Sequence, residues 1–174
     1  MADAPDFIIL KRDRELEGRD KELWIRRVLL ALVAVVPILA LFNLFGQRPT
    51  TVRATTPAAS LKVYTAHRLR GGLLYEARFH VFARRELKKA TLVLGPGWLE
   101  GMTVNTIEPS PVGEASQNGK LSLELGHVPA GKSHLLFIQF QVNPTNVGHR
   151  SRTVELYDGD TRLLERNIPI TIFP

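Results

Sequence analysis

The sequence predicts an all-β domain, an antiparallel sandwich, carried behind a single N-terminal transmembrane helix. Three observations lead there. Nineteen uncharged residues run from Val28 to Gly46. Beyond residue 58 the apolar residues recur with a period of two, the signature of half-buried strands. Gly, Pro, Asn and Asp interrupt that pattern about every 8–12 residues, the spacing of a sandwich or barrel.

The apolar run comes first. A helix rises about 1.5 Å per residue, so this stretch nearly matches a hydrocarbon layer of roughly 30 Å. Thirteen of its residues are Leu, Val, Ile or Phe, and together they favour insertion by roughly 4 to 8 kcal/mol. Pro37 is tolerated inside a span. Asn43 falls near the outer end, where water or headgroups satisfy its amide. A cleaved signal has an apolar region of only about 7–15 residues after a short leader, whereas 27 residues precede this run. An uncleaved signal anchor is therefore preferred to a cleaved signal or a buried soluble helix.

Orientation follows from the positive charges. Seven stand on the N-terminal side: Lys11, Arg12, Arg14, Arg19, Lys21, Arg26 and Arg27. Only Arg48 and Arg53 stand within fifteen residues on the other side. The positive-inside bias keeps the N-terminus in the cytoplasm and sends the C-terminal domain across the cell (inner) membrane. Trp24 sits at the level of an interfacial aromatic belt, beside Arg26 and Arg27. The expected organisation is a charged cytoplasmic arm (1–27), the span (28–46), a linker (47–58) and the external domain (59–174).

The arm balances seven basic against seven acidic residues. Glu15–Arg19 and Glu22–Arg26 are i,i+4 pairs with the acid first, the better order in a helix. Ahead of them Phe7, Ile8, Ile9 and Leu10 form an apolar tetrad. It is either a frayed end touching headgroups or a docking segment for a partner. The linker QRPTTVRATTPA holds two prolines and no apolar period, which predicts an extended, unpacked tether.

The strands follow in order. Leu61, Val63 and Thr65 alternate with Lys62 and Tyr64. From Leu73 to Ala83, Tyr75, Ala77, Phe79 and Val81 share one face and Glu76, Arg78 and His80 the other. Ala90–Leu94 is a short apolar strand ended by Gly95-Pro96-Gly97, and Met102–Ile107 is another. Pro109–Gly119 is turn-rich and reads as a loop. Leu121, Leu123 and Leu125 alternate, as do Leu136, Ile138, Phe140 and Val142. Thr153–Tyr157 leads into the tight-turn signal Asp158-Gly159-Asp160. Arg162–Leu164 and Ile168, Ile170 and Ile172 close the domain. Eight or nine strands that each bury one face pack best as a sandwich. An immunoglobulin-like arrangement is preferred, with an open barrel second.

One segment carries a family likeness. GKLSLELGHVPAG, residues 119–131, is followed by an alternating strand and Asn143-Pro144-Thr145. It resembles the strand, "l-p-a-G" turn and strand of bacterial immunoglobulin-like surface domains, including the conserved-repeat type. The resemblance spans about 30 residues. It implies a sandwich outside the membrane and names no substrate.

Chemistry-bearing patterns are sparse. There is no cysteine, which excludes disulfides and thiolate chemistry. No two of the five histidines stand at metal-ligand spacing on a shared strand face, and no nucleophile elbow, zinc motif or phosphate loop occurs. Neither an enzymatic activity nor a cofactor is expected. Trp98, in a glycine-rich turn, is either a core plug or an exposed contact. Asp158 and Asp160 read as a hairpin turn in preference to a cation site.

Charge is the remaining feature. The arm is neutral, so the net +6 lies beyond the span, where sixteen Lys or Arg oppose ten Asp or Glu. Arg84, Arg85, Lys88 and Lys89 crowd one turn, Arg68 and Arg70 a second, Arg150 and Arg152 a third. Each is a solvated face or a basic surface toward anionic headgroups, an acidic wall polymer or an acidic partner. The expected role is an accessory or assembly subunit whose partners are membrane lipid and another membrane protein or envelope component. The alternative is a basic module binding an anionic surface, and the topology argues against nucleic acid. The charge bias sets one measurable outcome. A reporter active only outside the cytoplasm should work when fused after Pro174 and fail when fused at Ala2; the opposite pattern would invert the topology.

Overall fold

The computed structural model describes residues 20–42 and 46–174. The chain divides into two units, Met1–Leu44 and Phe45–Pro174. In the first, helix α1 spans Asp20–Leu41 and contains Pro37. The most apolar window within Lys21–Leu41 has a mean hydropathy of 2.2, and none of it is buried. By length and composition the helix can cross a membrane. The helix thus begins before Val28, the expected start of the span, and ends at Leu41. Trp24, Arg26 and Arg27 lie on its exposed surface. Asn43 and the tetrad Phe7, Ile8, Ile9 and Leu10 lie outside the described residues.

The second unit is all β. Its strands are β1 (Arg48–Thr55), β2 (Ala59–Arg70), β3 (Leu74–Ala83), β4 (Leu87–Leu94), β5 (Met102–Glu108), β6 (Gly113–Gln117), β7 (Lys120–Val128), β8 (Ser133–Val142), β9 (Gly148–Asp158) and β10 (Thr161–Phe173), with a 3-10 turn at Pro96–Trp98. Hydrogen bonding orders them as β5-β8-β3-β2-β10-β9-β4-β7-β6, with β1 also on β2. The ladder curls into two layers, β1-β2-β3-β8-β5 and β10-β9-β4-β7-β6. They join where Arg68–Arg70 of β2 run parallel to Thr171–Phe173 of β10.

Period-two alternation accounts for the core. Leu61, Val63, Phe79, Val81, Ile138 and Phe140 of the first layer meet Leu92, Leu94, Leu123, Leu156 and Ile170 of the second in one buried cluster. Burying each such side chain contributes about 1.5–3 kcal/mol. The alternate residues Lys62, Arg78 and Gln139 face outward and are exposed.

Several expectations need correction. The stretch read as a linker holds β1, which pairs antiparallel with β2 from Arg48 opposite Arg68 to Thr55 opposite Ser60. Thr50, Val52 and Ala54 turn inward and are half-buried, and Val52 and Ala54 pack against the core. Pro49 is acceptable because an edge strand can spare one N–H. The stretch read as a loop at Pro109–Gly119 contains β6, hydrogen-bonded to β7 from Gly113 opposite Glu124 to Gln117 opposite Lys120. Backbone pairing, not an apolar period, makes both strands. Arg68 and Arg70 belong to β2, and Arg150 and Arg152 to β9, so neither pair occupies a turn. The closing segment is one continuous strand, β10, with a register shift between Arg162 and Leu164. The sandwich is antiparallel except at the β2–β10 contact.

The alternation in β8 gives a direct stability test. Phe140 is fully buried and the preceding Gln139 exposed. Phe140→Ala should cost about 3–5 kcal/mol and Gln139→Ala under about 0.5 kcal/mol, read from urea unfolding midpoints. Equal costs would contradict the assigned strand faces.

Candidate interaction surface

The basic turn joins β3 to β4. The N–H groups of Arg84 and Arg85 both donate to the Ala58 carbonyl, 2.9 Å each, fixing the backbone. Their side chains point into solvent. Lys88 and Lys89 lie in β4 at a bulge: Leu87 pairs with Val128 and Ala90 with Gly126, so three steps on β4 match two on β7. The extra residue lets two consecutive lysines face water between buried Leu87 and Ala90.

The four residues are not equivalent. Lys89 Nζ lies 3.5 Å from Glu124 Oε2, and its backbone N–H donates to Asp158 Oδ1 at 2.9 Å. Asp158 in turn opens the Gly159-Asp160 hairpin between β9 and β10, as expected for that turn. Arg84, Arg85 and Lys88 meet no carboxylate among the described residues. The free positive charge of the turn is therefore three side chains.

Trp98 lies elsewhere. Of its two readings, core plug or exposed contact, the first holds, because its exposure is 0%. The 3-10 turn can bury it because a Cβ at Gly97 would overlap the Ser151 carbonyl oxygen, so only glycine lets the turn approach β9 this closely. The indole Nε1 donates to the Thr153 carbonyl at 3.0 Å. Its ring tilts against Phe79 and Phe140, with centroids at 5.3 and 5.5 Å.

Over the other side of the indole lies Arg152, also 0% exposed. Its Cζ stands 4.3 Å from the Trp98 ring centroid. Nη2 donates to the Ala66 carbonyl at 2.7 Å, and Nη1 to Thr65 Oγ1 at 3.2 Å and Tyr75 Oη at 3.4 Å. The Tyr75 hydroxyl donates onward to Met102 Sδ at 3.1 Å. No carboxylate pairs with this guanidinium among the described residues, and its Nε is without a partner. Burial holds Arg152 below the ordinary arginine range, with Tyr75 opposing. Burial also raises the Tyr75 hydroxyl. A ring face and three oxygen acceptors thus replace the counter-ion.

A second polar cluster covers the outer side of β9. Glu155, 5% exposed, accepts from Tyr157 Oη at 2.5 Å and Lys120 Nζ at 2.9 Å. The Tyr157 hydrogen bond is the main cause of its lowered pKa. The three side chains are thus tied to one another. Among the described residues no three His, Asp or Glu side chains are placed to hold a metal ion.

The sequence reading missed one surface. On the outside of the first layer, Tyr64, Arg78 and Phe137 stand opposite one another across β2, β3 and β8. The Arg78 Cζ lies 5.3 Å from the Tyr64 ring centroid and 5.7 Å from that of Phe137. Glu76 pairs with Arg78 from the same strand and raises its pKa. The alternation of β3 had placed Glu76, Arg78 and His80 on one face. Strand order, which alternation does not contain, brings the two aromatic rings beside them.

No family model matches the chain. No curated protein matches it either. Similar solved structures include a von Willebrand factor type A protein from Catenulispora acidiphila (19% identity, TM-score 0.37), of which this chain, over 52% of its length, covers 24%. The chain thus spans about a quarter of that protein. Others are CaCohA2 from Clostridium acetobutylicum (14% identity, TM-score 0.46, 61% of this chain and 85% of that one) and the CARDB domain of the PF1109 protein from Pyrococcus furiosus (13% identity, TM-score 0.39, 69% of this chain and 98% of that one). The expected likeness to immunoglobulin-like repeat domains holds only at the level of a β-sandwich, which the strand order itself defines.

The buried cation yields a graded expectation. Arg152→Ala should cost about 2–5 kcal/mol, because it opens a cavity and strands Thr65 and the Ala66 carbonyl. Arg152→Met keeps the stem volume and removes the charge, so its loss should be smaller. Urea denaturation of both variants checks the order.

Proposed function

We propose that the chain is a non-enzymatic, single-pass membrane protein, an accessory or assembly subunit that presents its sandwich as an immunoglobulin-like interaction module outside the cell (inner) membrane. One observation carries the reading: the Lys21–Leu41 helix is long and apolar enough to cross a membrane, uncharged from Val28 onward, and none of its most apolar window is buried. Such a surface is stable in lipid and costly in water. The charge bias around the helix supports a cytoplasmic N-terminus. The domain supports binding in preference to chemistry, because its buried charged groups, Arg152 and Glu155, are held by hydrogen bonds within the fold.

On this reading the helix that precedes β1 in the chain anchors the domain at the membrane surface. Its partner is then another membrane protein or an envelope component at that surface.

The second reading is attachment to anionic headgroups or an acidic wall polymer through the turn of Arg84, Arg85 and Lys88. Each basic residue near an anionic surface is worth about 1 kcal/mol, and the attraction fades within about 10 Å at 0.1 M salt. Three such residues orient a domain but do not hold a specific complex alone. Detergent purification at low and high salt separates the two readings. A stoichiometric membrane partner that survives high salt supports the subunit reading. Retention on phosphatidylglycerol vesicles that vanishes with salt, and is lost in the R84S/R85S/K88S variant, supports the second. The triple variant should unfold at an unchanged temperature, since all three side chains are solvated.

A further inference from the structure

The outer face of the first layer carries two cations and a histidine in one row, with no carboxylate beside them among the described residues. Across β1, β2, β3 and β8, Arg53 stands opposite Lys62, Lys62 opposite His80 and His80 opposite Leu135. Directly opposed residues on one face lie about 4.5–5.5 Å apart, and like charges so placed destabilise a sheet. None of Arg53, Lys62 and His80 meets a carboxylate among the described residues. The next row is Thr51, Tyr64, Arg78, Phe137 and Glu108, the row of the aromatic and guanidinium stack.

Between the two rows lies an open concavity of about 340 Å³, lined by Thr51, Lys62, Tyr64, Arg78, His80 and Leu135. It places the Lys62 ammonium and the His80 ring beside the Tyr64 ring and the Arg78 guanidinium. Beyond it, a second hollow is lined by Glu76, Thr106, Glu108, Phe137 and Gln139, side chains that mostly accept hydrogen bonds. The face is thus basic at one end, flat and aromatic in the middle, and rich in acceptors at the other. It spans five strands, roughly 19 Å at the usual spacing.

We propose that this face binds an acidic polysaccharide, with a carboxylate at the Arg53–Lys62–His80 row and a pyranose ring on the Tyr64–Arg78–Phe137 stack. Guanidinium and ammonium donors match a carboxylate. The Tyr64 and Phe137 rings match the C–H face of a sugar, and the Glu76 and Glu108 carboxylates of the second hollow take hydroxyl groups. A bilayer fits less well, because a concave face cannot lie against a flat surface. A uniformly acidic peptide fits less well too, because Glu76 and Glu108 would repel it beyond the first row. The site is separate from the Arg84–Lys88 turn and does not rest on the membrane reading.

The test uses the full chain in nanodiscs of phosphatidylcholine, with a hyaluronan hexasaccharide as probe. Its rings alternate carboxylate-bearing and neutral. Chitohexaose, polyglutamate and phosphatidylglycerol vesicles serve as comparisons. Calorimetry should show the hexasaccharide binding more tightly than chitohexaose or polyglutamate. R53S/K62S and Y64A should each weaken it at least tenfold with little change in unfolding temperature, while R84S/R85S/K88S stays within twofold. Absence of hexasaccharide binding would overturn the proposal. So would equal binding of polyglutamate, which would make the site a carboxylate patch indifferent to sugar. Tighter binding of phosphatidylglycerol vesicles with the same variant losses would assign the face to lipid instead.

Discussion

The contact of Arg152 with Trp98 is what the sandwich is organised around. Arg152 belongs to β9 in the second layer, and the groups it binds, Thr65, Ala66 and Tyr75, belong to β2 and β3 in the first. Trp98 sits beneath it, bonded to β9 through Thr153 and packed on Phe79 and Phe140 of the first layer. The backbone joins the two layers through three residue pairs, Arg68–Arg70 with Thr171–Phe173. The cation and the indole therefore carry much of the lateral registration between sheets. Hydrophobic contacts alone are non-directional and permit the layers to slide. A guanidinium that must reach a carbonyl, two hydroxyls and a ring face at once permits one alignment.

A charge can occupy the centre because Arg is weakly hydrated and planar for its size. The indole face offers electrostatic attraction without a second charge to desolvate. A buried carboxylate would bring its own large desolvation cost. Among the described residues, the acidic side chains lie outside this core. Glu155 is the most buried of them and lies on the outer side of β9, held by Tyr157 and Lys120. The two polar clusters thus sit on opposite faces of one strand.

Much of this fold was legible in the sequence, and the exceptions share a cause. β2, β3, β7 and β8 announce themselves by alternation because each has one buried face, and Leu136, Ile138, Phe140 and Val142 lie where that period puts them. β1 and β6 do not, because their side chains are mostly polar and half- or fully exposed, and only backbone pairing defines them. Arg152 was invisible as a core residue, since its side chain reads as solvated until strand order supplies Trp98 and Tyr75. The basic turn was legible as four adjacent charges. That Lys89 is tied to Glu124 was not, because the bulge in β4 sets that geometry. The Tyr64–Arg78–Phe137 stack joins residues from three strands far apart in sequence, and local pattern holds no record of that juxtaposition.

The parallel contact between β2 and β10 also sets an order in time. A polypeptide is made from its N-terminus, and β2 is complete at Arg70 long before Thr171 exists. Until then β1, β2 and β3 can zip as neighbours, but the seam that curls the ladder has no second side. Over those hundred residues of synthesis the inner faces of the first layer stay open to water. The fold therefore closes late and all together, from a half-built sheet and not from a finished half-domain.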